Sequence, residues 1–242
     1  MELHYSDRGD GVPLLLLHGG MGIGDDWRHV FPTDPPGFRL VVPDLRGHGR
    51  TRHVEETFTI RACARDVLAL LDRLAIRRAR AIGLSLGAKT LLHMATMEPN
   101  RLDGMVLVSA TPRFPQTMRD AAARFTDAAF DALTASEKDA LSERHVHGEP
   151  QARALYAAMR SLGESTDDMA FSSVTLGTIT ARTLIVHGDS DPLYPVELAV
   201  ELFRGIPSSA LWVVPNGGHG PIFGALAPAF ASAAIEHVSS RD

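Results

Sequence analysis

The segment Ala81-Ile82-Gly83-Leu84-Ser85-Leu86-Gly87 constrains the fold more than any other stretch of this chain. A short apolar strand, residues 80–84, runs into a serine flanked at two-residue spacing by glycines. A helix-forming run, residues 88–97, follows at once. A serine that stands clear of a sheet needs a sharp strand-to-helix turn. Such a turn strains the backbone and brings strand and helix close together, so the flanking positions need residues without a bulky Cβ substituent. The start of the helix then offers unbonded N–H groups beside the hydroxyl.

Three further strand ends carry groups that complement this serine. Val12-Pro13-Leu14-Leu15-Leu16-Leu17 is a continuous apolar run, as a buried parallel strand requires. It ends in His18-Gly19-Gly20-Met21-Gly22, a loop able to present backbone donors. Residues 182–187 form a second buried strand, followed by Gly188-Asp189-Ser190-Asp191-Pro192. Residues 210–214 form another, followed by Asn216-Gly217-Gly218-His219-Gly220. Donor loop, serine, acid and histidine therefore follow in chain order, each where a strand stops, and open parallel sheets place their sites at such ends. Strands at 38–42 and 104–109 and an amphipathic helix at 59–75, with Val67, Leu70, Leu71 and Leu74 on one face, complete an alternation that implies an α/β chain.

Taken together, these motifs resemble the α/β-hydrolase fold family, in its small, capped, esterase-like form. Pro43-Asp44-Leu45-Arg46-Gly47-His48-Gly49 adds a match to that family's Asp-x-Arg-Gly-x-Gly loop. The resemblance implies a mainly parallel sheet with helices on both faces and a helical cap inserted after the sixth strand. It divides the chain into a catalytic core, residues 1–112 and 178–242, and a cap, residues 113–177. The order Ser, Asp, His is the order of the family's triad. It implies Ser85 as nucleophile, His219 as base and Asp191 as the acid that orients it. Asp189 competes for the acid role, but Gly188, Asp191 and Pro195 match the family's spacing. The N–H of Leu86 is one oxyanion donor, and the resemblance supplies the second from Gly20, with Met21 as the near alternative.

In the inserted segment the alternation lapses into helices. Residues 118–133 show helical spacing, Ser136-x-x-Asp139 reads as a helix start, residues 150–162 form a third helix with Gly163 just beyond it, and residues 166–176 a shorter fourth. Met21, Phe125 and Met159 are the expected substrate contacts. Of the histidines outside the triad, His18 and His187 read as structural. His145 and His147 lack a third ligand for a metal.

Gly83-x-x-x-x-Ala88-Lys89-Thr90 lies one residue away from a phosphate-binding loop. The missing second glycine, and a helix beginning near Leu86, argue against that reading. Lys89 is expected as a partly exposed helix residue with its stem along the surface. A net charge of −5 without a basic block excludes a nucleic-acid footprint. The run 12–17 is too short for a membrane span. The start Met1-Glu2-Leu3-His4 lacks a basic-then-apolar leader pattern. Cys63, alone, excludes an internal disulfide and fits a cytoplasmic setting. The expectation is a cofactor-independent serine hydrolase acting on a small acyl substrate, an ester, thioester or lactone. Carbon–carbon bond hydrolysis, perhydrolysis or lyase chemistry on the same triad, or ligand binding with an idle triad, are the alternatives.

Overall fold

The computed structural model describes residues 1–52 and 58–240. Strands β1 (Tyr5–Arg8), β2 (Val12–Leu17) and β3 (Phe38–Pro43) precede helix α1 (Ile60–Arg73). Strand β4 (Ala79–Leu84), helix α2 (Leu86–Met97) and strand β5 (Leu102–Val108) follow. Next come five helices: α3 (Gln116–Ala122), α4 (Asp127–Asp131), α5 (Ala135–Arg144), α6 (Glu149–Glu164) and α7 (Ser173–Leu176). Strand β6 (Arg182–Gly188), helix α8 (Val196–Gly205), strand β7 (Ser209–Val214) and helix α9 (Ala227–Ser239) close the fold.

The seven strands form one sheet in the order β1-β3-β2-β4-β5-β6-β7. β1 pairs antiparallel with β3, and every other pair is parallel. The chain moves outward from β2 to β3 and then returns to β4 on the other side. This reversal opens a crevice at the carboxyl ends of β2 and β4, where the Gly19-Gly20 loop and Ser85 emerge. Alternate side chains of each strand serve two cores. Leu15, Leu17, Ala81, Leu107 and Ile185 pack with α1, α2 and α8. Leu14, Leu16, Ile82, Val106 and Val186 pack with Trp27 and with Phe230 and Ala234 of α9. The apolar runs that lack alternation are thus strands buried on both faces.

Several expectations about the inserted segment need correction. It leaves the sheet after the fifth strand of this chain rather than the sixth, because β1 alone precedes β2. The single helix expected over 118–133 is two helices. Thr126 breaks it by accepting the N–H of Ala129 at 3.0 Å, which starts α4. Helix α5 starts from Thr134 rather than Ser136. Thr134 accepts the Glu137 N–H at 3.3 Å, and the Glu137 carboxylate accepts the Thr134 N–H at 2.7 Å. Gly163 lies inside α6 instead of ending it. A Cβ there would stand 2.5 Å from that of Ala122, so the glycine permits the close crossing of α6 over α3. Residues 166–171 are not helical. Arg113 and Ala170 form an isolated antiparallel bridge, and only Ser173–Leu176 is helical.

Asp168 ties this segment to the sheet-bound helices. Its carboxylate accepts the N–H of Ile60 at 2.6 Å and of Arg61 at 3.1 Å, while Thr59 accepts that of Ala62 at 3.0 Å. Three donors at the start of α1 are thereby satisfied, and the helix dipole receives a negative charge that its own first turn lacks. The ring N–H of His93 in α2 donates to the Asp168 carbonyl at 2.6 Å. Asp168→Ala should therefore destabilise the protein by about 1–3 kcal/mol in urea unfolding, whereas Asp167→Ala, at an exposed neighbour, should change it by less than about 0.5 kcal/mol. Equal effects would show that the carboxylate of Asp168 contributes nothing special.

Candidate active site

Ser85 sits between β4 and α2 with φ 50° and ψ −104°, a left-handed conformation unusual for a residue with a side chain. Its neighbours explain how the turn closes. A Cβ on Gly83 would lie 2.7 Å from the Ala88 nitrogen, and one on Gly87 would overlap the carbonyl of Leu17. The Gly87 N–H donates to the His18 carbonyl at 3.0 Å, which draws the loop after β2 against the first turn of α2.

The structure brings Ser85, Asp191 and His219 together. His219 Nδ1 lies 2.8 Å from Asp191 Oδ2, and His219 Nε2 lies 2.9 Å from Ser85 Oγ. An ionised carboxylate only accepts, so the Nδ1 proton faces Asp191 and the Nε2 lone pair faces the serine hydroxyl. The other oxygen of Asp191 accepts the N–H groups of Leu193 at 2.8 Å and Tyr194 at 3.1 Å. Burial pushes the Asp191 carboxyl up. The His219 contact and these two N–H groups outweigh burial, and the net shift is downward. Asp189 is exposed and accepts from the Ser190 hydroxyl at 3.0 Å, away from the imidazole.

The acid and histidine loops are locked to each other. A Cβ on Gly188 would collide with the Gly217 carbonyl. The Gly220 N–H, next to His219, donates to Ser109 Oγ at 3.0 Å, and Ser109 itself has φ 49° at the end of β5. Ser109 is a positioning residue that the sequence reading missed. Its only sequence signal was its place at another strand end.

The loop after β2 is held by buried histidines. Leu45 N–H donates to His18 Nε2 at 2.9 Å, leaving Nδ1–H to face the Gly19 carbonyl at 2.7 Å. Burial lowers the pKa of His18, as suits a ring that needs one donor and one acceptor. The Met21 N–H donates to His48 Nε2 at 3.1 Å. Of the two expected second donors, Met21 is thus engaged; Gly20 and Leu86, the first residue of α2, line one cavity with Ser85. His145 accepts the Gly49 N–H at Nδ1, 3.0 Å away, and burial pushes its pKa down to about 4. His187 faces the Tyr194 carbonyl at 2.9 Å. Among the described residues, no cluster of three or more His, Cys, Asp or Glu is placed to hold a metal.

A cavity of about 180 Å³ opens onto Ser85 and His219. Gly20, Met21, Leu86, Phe125 and Met159 all line it, so each expected contact residue borders the same space. Met118, Ala122, Leu162 and Leu193 add to a mostly apolar wall.

Lys89 departs from expectation. It is 3% exposed, and Nζ donates to the Tyr194 hydroxyl at 2.6 Å, 4.7 Å from the centre of that ring. It was expected at the surface because lysines keep their charged heads in water. One turn beyond Ser85, however, the helix side is covered by Tyr194 and Phe114, and Lys89 borders the cavity. Burial pushes its pKa down to about 7, against the opposing pull of the Asp191 and Asp168 carboxylates.

The family model for the alpha/beta hydrolase fold matches residues 12–160. The pimeloyl-[acyl-carrier protein] methyl ester esterase of Vibrio vulnificus is 25% identical, with 91% of this chain and 92% of that protein covered. The 2-hydroxy-6-oxononadienedioate/2-hydroxy-6-oxononatrienedioate hydrolase 2 of Pseudomonas putida is 28% identical, with 90% and 85% covered. A thermophilic esterase from Thermogutta terrifontis superposes with a TM-score of 0.73 at 25% identity, covering 97% of this chain and 91% of its own. Among the described residues, no helix is long and apolar enough to cross a membrane.

The depressed Lys89 carries a pH signature. The folded state holds this proton less tightly than the unfolded chain, whose lysine titrates near 10.5. The burial penalty is therefore full below about pH 7 and fades as pH rises toward 10.5. Lys89→Met should raise the urea midpoint, with a larger gain at about pH 6 than at about pH 9.5. A gain that is constant with pH would show that Lys89 stays protonated throughout.

Proposed function

The chain belongs to the alpha/beta hydrolase fold family, and on that premise we propose that it is a serine hydrolase that cleaves short carboxylic esters, or the related thioesters and lactones, through an acyl-enzyme. The observation that carries this reading is the unbroken hydrogen-bonded line Ser85–His219–Asp191 at three strand ends, with contacts of 2.9 and 2.8 Å.

His219 Nε2 takes the hydroxyl proton as Ser85 Oγ attacks the substrate carbonyl carbon. Asp191 holds the imidazole in the productive tautomer and stabilises the imidazolium that forms. The N–H groups of Gly20 and Leu86 receive the negative charge that develops on the carbonyl oxygen. The strain at Ser85 keeps the hydroxyl clear of the sheet. When the intermediate collapses, the proton passes from His219 to the leaving alcohol. Water, deprotonated by the same Nε2, then attacks the acyl-enzyme, and the acid departs. These steps require no metal or organic cofactor.

The segment 113–177 acts as the cap, with Phe125 and Met159 forming one wall and Met21 another. Pockets for drug-sized ligands run about 300–1,000 Å³. The 180 Å³ cavity therefore favours a short acyl group. An ester is also the substrate class in the name of the Vibrio vulnificus relative.

A fluorophosphonate probe should label Ser85, and peptide mass spectrometry should find the adduct there. Labelling at another serine, or none in folded protein, would refute the nucleophile assignment. The two acids are separated by turnover of a chromogenic acetate or butyrate ester. Asp191→Asn should lower kcat by orders of magnitude, on the order of 10⁴ in the best-studied triad. Asp189→Asn should leave it within about tenfold. The reverse ranking would move the acid role to Asp189. Turnover of carbon–carbon substrates in place of esters would reassign the reaction but keep the triad.

A further inference from the structure

Among the described residues, Lys89 is the one lysine or arginine bordering the cavity, and no aspartate or glutamate borders it. Among the described residues, no carboxylate pairs with its ammonium, which has the Tyr194 hydroxyl as partner. The nearest acids are saturated elsewhere. Asp191 is bonded to His219 and to two N–H groups, and Asp168 to the N–H groups of Ile60 and Arg61. An ammonium removed from water without a counterion is costly. A purely structural role for this position would be served better by methionine or leucine, which fill similar volume without that cost. An apolar cavity with one unpaired cation on its wall is complementary to an apolar ligand with one anionic end.

We propose that Lys89, held by Tyr194, is the carboxylate-binding subsite of the acyl pocket, and that the preferred acyl group is short and ends in a carboxylate. This inference rests on the hydrolase reading above and deepens it by naming the substrate class.

The geometry sets the length of that group. The Tyr194 hydroxyl accepts a hydrogen bond from Lys89 Nζ, and Ser85, Lys89 and Tyr194 all border the same cavity. Ser85 directly precedes α2 and Lys89 follows four residues later, a rise of roughly 6 Å along the helix axis. A carboxylate that reaches the ammonium while its ester carbonyl sits at Ser85 is separated from that carbonyl by two or three methylenes. The fitting substrates are half-esters of succinate and glutarate. The ammonium has three donors, and one is spent on Tyr194, so two remain for the anion. The carboxylate supplies the missing counterion and makes charge-assisted hydrogen bonds in a site of low dielectric. Tyr194 fixes the direction of Nζ, and its ring packs edge-on against His219 at 5.3 Å. One side chain thus touches both the anion site and the base.

The test compares monomethyl succinate with methyl 4-methylpentanoate, in which an isopropyl group replaces the carboxylate. Wild-type protein should favour the half-ester in kcat/KM, and Lys89→Met should lower the ratio of half-ester to neutral ester about tenfold or more. Lys89→Gln, also uncharged, should lower it likewise, and serves if the methionine variant fails to fold. A Lys89 that only holds Tyr194 in place would reduce both esters together and leave the ratio unmoved. An unchanged ratio in folded variants, or a wild-type preference for the neutral ester, overturns the proposal.

A binding arm separates this failure from failure of the hydrolase reading. Succinamate is titrated calorimetrically into Ser85→Ala protein and into the Ser85→Ala, Lys89→Met double variant. Binding that the second change abolishes supports the subsite even if no ester is turned over. No binding, or equal binding to both, overturns it.

Discussion

Everything at the candidate site depends on the close approach of β4, α2 and the end of β2 around Ser85. Gly83 and Gly87 remove the two side-chain positions that would hold these elements apart, and the carbonyl of Leu17 occupies the space where a Cβ on Gly87 would stand. Holding a serine at positive φ costs on the order of 1–3 kcal/mol. The cost is borne by a parallel sheet buried on both faces, whose ladders fix the ends of β2, β4 and β5 relative to one another. The hydroxyl, the first N–H groups of α2 and the loop after β2 then converge without any of them having to reorganise during a reaction.

The supporting contacts form a hierarchy of backbone bonds more than of charge pairs. His18 and His48 each accept one backbone N–H and face one carbonyl, so as neutral rings they splice the loop after β2 to the loop after β3. Asp44 does the same from β3, accepting the N–H groups of Gly24 at 2.8 Å and Arg50 at 2.9 Å. The Gly220 N–H on Ser109 and the contact of Gly188 with Gly217 place the histidine loop over the serine. By contrast, many of the ion pairs lie at the surface, such as Arg8 with Asp34, where solvent leaves such pairs little net value. Around these loops, polar side chains serve to orient backbone.

Lys89 breaks this pattern. A buried ammonium with one phenol as its hydrogen-bond partner is a local inconsistency, and such inconsistencies concentrate where a protein acts. The helix that presents Leu86 at its first position presents Lys89 three residues later, just under a full turn. Leu86 and Lys89 are therefore both positioned by α2, so the proposed recognition of the carbonyl and of the distant end of the acyl group shares one rigid element.

The strands from β2 onward in chain order, the elbow and the residues of the Ser-His-Asp line were legible in the sequence, because each depends on local rules. Glycines mark where backbones nearly touch, continuous apolar runs mark strands buried on both faces, and loops at strand ends carry the polar groups. The inserted segment was legible only as helical. Its breaks at Thr126 and Thr134 follow from capping bonds that compete closely with neighbouring starts, and Gly163 looks like a terminator until Ala122 is seen beneath it. That the Met21 N–H is engaged could not be read locally, because its partner His48 lies 27 residues away. Lys89 was misread for the same reason. Its sequence neighbours, on a helix, say nothing of the Tyr194 ring that covers it from 105 residues away. Local chemistry specified which groups stand at the strand ends; tertiary packing alone decided which of them are buried, because burial is set by partners distant in the chain.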